Sequence, residues 1–341
     1  MSERLEDIAA RIVTAGKGLL AADESTATIK KRLDGIGVVS TDASRRDYRQ
    51  MLFSADEAMH NYISGVILYE ETLFQKTEDG RPLADIITAA GAIPGIKVDT
   101  GAKPMALFKG ETITEGLDGL RDRLARYHAA GARFAKWRAV IAISDTLPSF
   151  GAIKANAEAL ARYAALCQEA GIVPIVEPEV LMDGEPGTQS IERSQEVTEE
   201  TLRITFEELA DQRVSLEGMI LKPSMVIDGK KARKASVQEV AERTIRVLKR
   251  TVPAAVPGIA FLSGGQSTEE ATAHLSAMNA MGPLPWRLTF SYGRALQAEA
   301  LDAWAGKAEN VAAGQRAFTH RAKMCSLAAR GEWKKEMEKT V

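Results

Sequence analysis

Three strongly apolar runs of the sequence each end in ionisable side chains. They are residues 134–138 with Lys136 and Arg138, residues 172–179 with Glu177 and Glu179, and residues 218–223 with Lys222. Because side chains alternate between the two faces of a strand, the charged residues of each run share a face with apolar neighbours. Amines and carboxylates at the ends of buried strands cost free energy unless they pair or take part in chemistry. One such run is equally consistent with a salt bridge in the core, but three favour an active site.

Lys136 and Lys222 both meet the requirements of a nucleophilic amine. Burial and a neighbouring cation disfavour the charged form of a lysine, and the neutral amine can attack a ketone to form a Schiff base. Lys222 ends the more apolar run, whereas Lys136 shares its strand face with Arg138, so Lys222 is modestly favoured. The carboxylates suited to the accompanying proton transfers are Glu177, Glu179 and Asp23.

Two glycine-containing turns follow the last two apolar runs, at residues 263–266 and 291–294. Adjacent glycines let backbone amides approach a ligand, and the N-terminus of a helix favours phosphate. Either turn alone is better explained as an ordinary turn, the first with a helix cap formed by Ser267 and Glu270. Together, after the last two strands of a barrel, they favour a phosphate site.

Strand-like runs alternate with helical patterns along the whole chain. Repeated β-then-α units imply parallel strands with right-handed crossovers, and eight units predict an α/β fold of the (β/α)8 TIM-barrel type. A doubly wound sheet would usually stop sooner. No linker interrupts the pattern, so we expect one domain over residues 1–341, with an extra C-terminal helix and tail at about 307–341. The predicted strands are residues 17–22, 64–70, 93–99, 132–138, 172–178, 218–223, 258–263 and 286–291, and predicted helices include 115–130, 152–170, 195–213, 236–251 and 267–280.

In such a barrel, the residues that follow the strands converge at the C-terminal rim, where active sites lie. The rim candidates carry mixed charges that a rim built for stability would not need. They are Asp23, Glu70, Lys97, Asp99, Lys136, Arg138, Glu177, Glu179, Lys222, Ser263 and Ser291.

Composition narrows the function further. The 44 basic and 46 acidic residues give a net charge of −2, with no basic block, which argues against nucleic acid or an anionic membrane as partner. The charged N-terminus starts no signal peptide, and no apolar stretch reaches the ~20 residues of a membrane span. Cys167 and Cys325 stand far apart and are typical of reduced thiols, so we expect a cytoplasmic protein. The four histidines form no ligand-spaced pair, so no metal site is expected.

Seven short motifs in register resemble class I fructose-1,6-bisphosphate aldolases, from about residue 5 to 330. The motifs are residues 16–26, 95–99, 134–138, 175–179, 221–225, 261–266 and 290–297. The resemblance implies a metal-free retro-aldol cleavage of a phosphorylated ketose without any cofactor, in glycolysis and gluconeogenesis. It also implies a homo-oligomer, since members of the family are commonly tetramers.

The resemblance assigns a role to each site residue. Lys222 would form the iminium with the C2 ketone, Glu177 would dehydrate the carbinolamine, and Asp23 would act on the C4 hydroxyl. Lys136 and Glu179 would tune charge and hold Lys222. The C1 phosphate would bind to Ser263, Gly264, Gly265, Ser291, Gly293 and Arg294, and the C6 phosphate to Ser25, Thr28, Lys97 and Arg138.

Three positions depart from the family pattern. Thr100 stands where many members have a basic residue, and Thr28 where many have serine. Animal members carry a longer tail that ends in tyrosine, which argues against a catalytic role for this C-terminus. The charged segment 333–341 is therefore predicted to be mobile.

Two other function classes remain open from the sequence. The first is another Schiff-base sugar-phosphate aldolase or a transaldolase, whose substrate needs only one phosphate-binding site. A metal-dependent aldolase fits less well, since the histidines give no ligand set. The second is a non-catalytic barrel retained as a binding scaffold, which loss of Lys222, Asp23 or Glu177 would have indicated.

Overall fold

Ten strands and thirteen α-helices form in the computed structural model, which describes residues 3–184 and 187–339. The strands are β1 (Gly18–Ala22), β2 (Ile63–Leu68), β3 (Ile93–Lys97), β4 (Gly101–Pro104), β5 (Thr112–Glu115), β6 (Phe134–Ile141), β7 (Val173–Val180), β8 (Ile220–Leu221), β9 (Gly258–Phe261) and β10 (Arg287–Tyr292). The helices are α1 (Leu5–Ile12), α2 (Thr26–Gly35), α3 (Asp42–Phe53), α4 (Asp56–Asn61), α5 (Glu70–Phe74), α6 (Leu83–Ala89), α7 (Leu120–Ala129), α8 (Phe150–Glu169), α9 (Ile191–Asp211), α10 (Val237–Thr251), α11 (Thr268–Ala280), α12 (Arg294–Trp304) and α13 (Val311–Ala328).

Eight of these strands close a parallel barrel in the order β1-β10-β9-β8-β7-β6-β3-β2. This confirms the predicted (β/α)8 barrel, and each predicted strand overlaps an observed one. The interior is filled with apolar side chains, and α1 covers the amino-terminal end by packing Ile8 and Ile12 on the same cluster. A filled interior leaves the opposite end, where the strands finish, as the place for a site.

The ring of Phe134 fills the barrel between β2 and β3. A Cβ atom built on Gly95 would lie 2.2 Å from that ring, and one on Gly65 would lie 2.9 Å from it. Both strands therefore need glycine at this level. In the described ranges, no helix is long and apolar enough to cross a membrane.

The prediction of a helix over 115–130 is wrong at its start. Strands β4 and β5 form an antiparallel hairpin that ends at Glu115, and α7 begins only at Leu120. Gly116 and Gly119 have φ values of 129° and 66°, which interrupt the backbone between the two elements. The alternating apolar and polar residues of β5 are typical of a strand. The helical pattern that follows them outweighed this signal when residues 115–130 were interpreted as one segment.

Glu70, a rim candidate, does not reach the rim pocket. It begins α5 and pairs with Arg126 on the protein surface.

The C-terminal segment docks on the barrel as far as it is described, contrary to the expectation of a mobile tail. Glu338 accepts a hydrogen bond of 2.8 Å from Trp333 Nε1 and pairs with Arg321 of α13. Arg321 is buried, and its Nη2 donates to Thr272 Oγ1 of α11 at 3.0 Å. Residues 340 and 341 of this predicted tail lie outside the described ranges.

We expect Glu338→Gln to lower the free energy of unfolding by about 1–3 kcal/mol, because it leaves the buried Arg321 charge with only the Glu299 carboxylate, at 4.0 Å from its Nε. Thermal or urea unfolding measures this. Glu336→Gln, on the exposed side of the same turn, is the matched control and should change little. Equal effects of the two substitutions would show that the tail does not neutralise Arg321.

Candidate active site

A cavity of about 830 Å³ opens where the barrel strands end. It brings together almost every residue that the sequence singled out. Those lining it are Asp23, Ser25, Thr28, Lys97, Asp99, Lys136, Arg138, Glu177, Glu179, Lys222, Ser263, Gly264, Ser291, Gly293 and Arg294. A larger cavity of about 970 Å³ lies between the β4–β5 hairpin and α8, and none of the predicted site residues lines it.

Four charged side chains form a continuous chain at the centre of the pocket. Lys136 Nζ lies 2.7 Å from Asp23 Oδ2 and 3.3 Å from Glu177 Oε2. The other oxygen of Glu177 lies 3.1 Å from Lys222 Nζ. The side chains of Lys136, Lys222 and Glu177 are at most 5% exposed, so their charges meet with little water between them. One carboxylate thus bridges two amines.

The neighbours of Lys136 keep it charged. Burial disfavours its ammonium form, but the carboxylates of Asp23 and Glu177 outweigh burial and raise the pKa of Lys136 above its usual value. The expectation of a neutral amine is therefore wrong for Lys136, because the sequence did not reveal how many carboxylates converge on it. Among the described residues, Lys222 has an ion pair with Glu177 alone, so the geometry favours Lys222 as the amine that reacts.

The same cations hold the two carboxylates in their ionised form. Burial opposes ionisation of Asp23, yet Lys136 and Lys222 lower the pKa of Asp23 well below its usual range. Burial likewise opposes ionisation of Glu177, and the same two lysines lower its pKa. Desolvation loses to Coulomb attraction here because each carboxylate meets an ammonium group within hydrogen-bond or ion-pair distance.

Glu179 differs from Glu177 in its partner and its protonation. It pairs with Arg138 Nε, so the influence on Lys222 that the resemblance implies would act through the electrostatic field of Glu179. Burial raises the pKa of Glu179, and Arg138 offsets this only in part. The two glutamates stand two residues apart on β7, yet one holds its proton more tightly than usual and the other less.

Asp99, after β3, organises the neighbouring part of the rim. Its Oδ1 accepts from Lys97 Nζ at 2.5 Å and from the Gly101 amide at 3.1 Å. Its Oδ2 accepts from the Arg138 amide at 3.2 Å. One buried carboxylate thereby fixes both Lys97 and the backbone of Arg138 at the same side of the pocket.

The N-terminus of α2 contributes a hydroxyl pair. Ser25 caps this helix by accepting from the Thr28 amide, and the two hydroxyl oxygens lie 3.1 Å apart. Arg32 also lines the pocket, where it pairs with the buried Glu24, and the sequence reasoning missed it. Its signal was its spacing, since Arg32 follows Thr28 by four residues and so shares the same helix face.

Two turns complete the rim after β9 and β10. Ser263 and Gly264 line the pocket, whereas Gly265, with φ of 78°, turns away towards Met182 and lies outside the lining. After β10, the hydroxyl oxygen of Ser291 is buried and has no hydrogen-bond partner in the described part of the chain, and Gly293 and Arg294 start α12. An unpaired buried hydroxyl in a ligand pocket is available to a ligand.

Lys136→Met should raise the pKa of Asp23, because the carboxylate loses its nearest cation and burial is then opposed only by the more distant Lys222 and Lys97. Carboxyl ¹³C titration by NMR measures this, with Lys30→Met, on the exposed face of α2, as control. A lowered pKa stabilises the fold above the unfolded-state value and is lost as the pH falls through the folded-state value. The variant should therefore lose stability at a higher pH than the wild type, and an unchanged Asp23 titration would contradict this account.

A barrel with a charged pocket of about 830 Å³ at its carboxyl rim belongs to the class of (β/α)8 proteins that hold small ligands at their strand ends. The sequence matches the model of the glycolytic class-I fructose-bisphosphate aldolases over residues 4–341. The chain belongs to this family.

Individual relatives agree with the family match. A probable fructose-bisphosphate aldolase class 1 from Xanthomonas axonopodis pv. citri is 55% identical over 97% of this chain and 99% of its own. The fructose-bisphosphate aldolase of Drosophila melanogaster is 53% identical over 98% of this chain and 92% of its own. The solved aldolase of Plasmodium falciparum, in complex with TRAP and a small-molecule inhibitor, is 49% identical and superposes with a TM-score of 0.93, covering 97% of this chain and 95% of that one.

Proposed function

We propose that this protein reversibly cleaves fructose 1,6-bisphosphate to dihydroxyacetone phosphate and glyceraldehyde 3-phosphate through a Schiff base on Lys222. The observation that carries the proposal is the Glu177 carboxylate between two buried lysines, with Asp23 beyond them. Such an arrangement supplies one reactive amine, one fixed cation and two proton-transfer groups. The family membership supports the same reaction.

The first half of the reaction builds an electron sink. Lys222 Nζ attacks the C2 ketone, and the resulting carbinolamine loses its hydroxyl as water. Glu177, at 3.1 Å from the attacking nitrogen, takes the proton from the amine and returns one to the leaving hydroxyl. The product is an iminium whose positive charge can accept an electron pair from C3.

Asp23 then removes the proton from the C4 hydroxyl. The electrons of that O–H bond form the aldehyde, the C3–C4 bond breaks, and its electron pair moves into the iminium to give an enamine. Lys136 keeps Asp23 ionised, and a carboxylate with a lowered pKa is a weak base. The iminium therefore supplies the main driving force for cleavage. Protonation of the enamine at C3 and hydrolysis of the iminium release the second product and free Lys222.

The two phosphate groups bind at separate parts of the rim, although Ser25 and Thr28 follow β1, the neighbour of β10. Strands β9 and β10 lie across the barrel from β6 and β3. The C1 phosphate is held by Ser263, Gly264, Ser291, Gly293 and Arg294, with Gly265 shaping the turn behind Gly264, and the C6 phosphate by Ser25, Thr28, Lys97 and Arg138. Two distant grips fix the ketone and the C3–C4 bond between them, which converts remote binding energy into orientation.

The remaining features of the proposal follow from the same chemistry. The reaction needs neither metal nor cofactor, because the iminium polarises the substrate; within the described residues no group of three His, Cys, Asp or Glu side chains could hold a metal ion. The partner is a phosphorylated ketose rather than nucleic acid or membrane. We further propose a cytoplasmic homotetramer that serves glycolysis and gluconeogenesis.

Replacing Lys222 with Met should lower cleavage by several orders of magnitude, because the iminium can no longer form. Borohydride reduction in the presence of dihydroxyacetone phosphate should trap the wild-type protein on Lys222 but not this variant. Lys136→Met is the matched control: it should slow turnover yet still allow slow trapping on Lys222.

Two results would contradict this assignment. A trapped peptide that contains Lys136, or trapping that persists in Lys222→Met, would place the nucleophile on another strand. Loss of activity in EDTA that zinc or cobalt restores would replace the Schiff base by metal catalysis.

Arg138→Ala should weaken cleavage of the bisphosphate about ten- to a hundredfold in kcat/KM, but affect fructose 1-phosphate far less, since that substrate has no C6 phosphate. Arg294→Ala should harm both substrates, because both carry the C1 phosphate. Arg138→Ala leaves Glu179 buried without its arginine partner. Glu179 can then take up a proton, because its pKa is already raised. Equal losses of Arg138→Ala on the two substrates would show that the phosphate ends are exchanged.

A further inference from the structure

A buried histidine that does not line the pocket forms a hydrogen bond with the turn that carries Ser263 and Gly264. His274, on α11, has its Nδ1 2.6 Å from the side-chain oxygen of Gln266, and both residues are buried. An amide oxygen can only accept a hydrogen bond, so Nδ1 of the histidine must carry the proton. Burial lowers the pKa of His274 to about 4, which keeps the ring neutral at ordinary pH.

Gln266 is the last residue of the turn that faces the phosphate. Its backbone amide donates to the Ser263 carbonyl at 3.2 Å and closes the turn over Gly264 and Gly265. The next residue, Ser267, caps α11 through a capping box with Glu270. The turn is therefore connected to α11 by two interactions. One is the capping box of Ser267 and Glu270, and the other is the hydrogen bond between His274 and Gln266, two helical turns further along α11.

Because adjacent glycines give a turn little stiffness of its own, its amides need an external support to stay in place. The side-chain nitrogen of Gln266, Nε2, is buried and has no hydrogen-bond partner among the described residues, so the side-chain oxygen that faces His274 is the fixed end of this side chain. A phosphate site built on backbone amides depends on their positions within fractions of an ångström.

We propose that His274 is a positioning residue, which holds the turn at residues 263–266 through Gln266 in the geometry that binds the C1 phosphate. This inference rests on the proposed function for the identity of the ligand. His274 does not contact the substrate, yet its loss should weaken binding of the C1 phosphate and leave binding of the C6 phosphate unchanged.

The condensation direction separates the two grips, because dihydroxyacetone phosphate brings the C1 phosphate and glyceraldehyde 3-phosphate brings the C6 phosphate. His274→Leu leaves the Gln266 oxygen buried without a donor and should raise the KM for dihydroxyacetone phosphate about tenfold. The KM for glyceraldehyde 3-phosphate should stay within about twofold, since Lys97 and Arg138 lie on β3 and β6, across the barrel from β9.

His274→Asn is the rescue variant. The amide nitrogen of asparagine and Nδ1 of histidine are both bonded to Cγ, so asparagine keeps the donor in the same place. It should retain the wild-type KM for dihydroxyacetone phosphate. His128→Leu, on the outer helix α7, is the control for loss of a histidine and should leave both KM values unchanged.

Backbone hydrogen exchange gives a second readout that needs no activity. His274→Leu should speed exchange of the amides in residues 263–267 while α11 beyond them keeps its protection, and His274→Asn should not. Equal rises in both KM values, faster exchange along the whole of α11, or no change in either measurement would overturn the positioning role. If the wild-type protein catalyses no condensation, the proposed function fails, and the exchange experiment alone decides whether His274 holds the turn.

Discussion

The candidate active site depends on charge balance around one buried carboxylate. Glu177 lies between the ammonium groups of Lys136 and Lys222, and Asp23 pairs with Lys136 on its far side. Removing Glu177 leaves Lys222, and removing Lys136 leaves Asp23, without another ion-pair partner among the described residues, which costs several kcal/mol. The same balance sets the chemistry, because it keeps Asp23 and Glu177 ionised and Lys136 fully charged.

The barrel provides this balance through strand register. Lys136 of β6 lies opposite Ile175 of β7, and Arg138 lies opposite Glu177, so charged residues of adjacent strands reach the rim at successive levels. Below these charged residues the barrel interior is apolar, and it includes Phe134, the first residue of β6. Charges that follow apolar side chains along one strand face thus become a polar rim above a hydrophobic core.

The sequence could predict what depends on local pattern and could not predict what depends on pairing across strands. The eight barrel strands and the convergence of Asp23, Glu177 and Lys222 follow from apolar runs and their ends. The raised pKa of Lys136 and the pairing of Glu179 with Arg138 depend on which side chains meet in space. The β4–β5 hairpin, Arg32 and the contact of Glu338 with Arg321 were missed for related reasons, since each is set by tertiary contacts or obscured by a neighbouring helical period.

The pairing of cations with carboxylates explains how a protein of net charge −2 can hold a doubly phosphorylated ligand. Lys97, Arg138 and Arg32 each pair with a carboxylate around the pocket, which fixes their positions but weakens their attraction for an anion. Backbone amides at the two glycine turns carry no such counter-ion, nor does Arg294 among the described residues. The site for the C1 phosphate should therefore derive its affinity from the geometry of the turns. The site for the C6 phosphate should derive its affinity from cations that ion pairs already hold in place. A distortion of one turn then harms one grip alone.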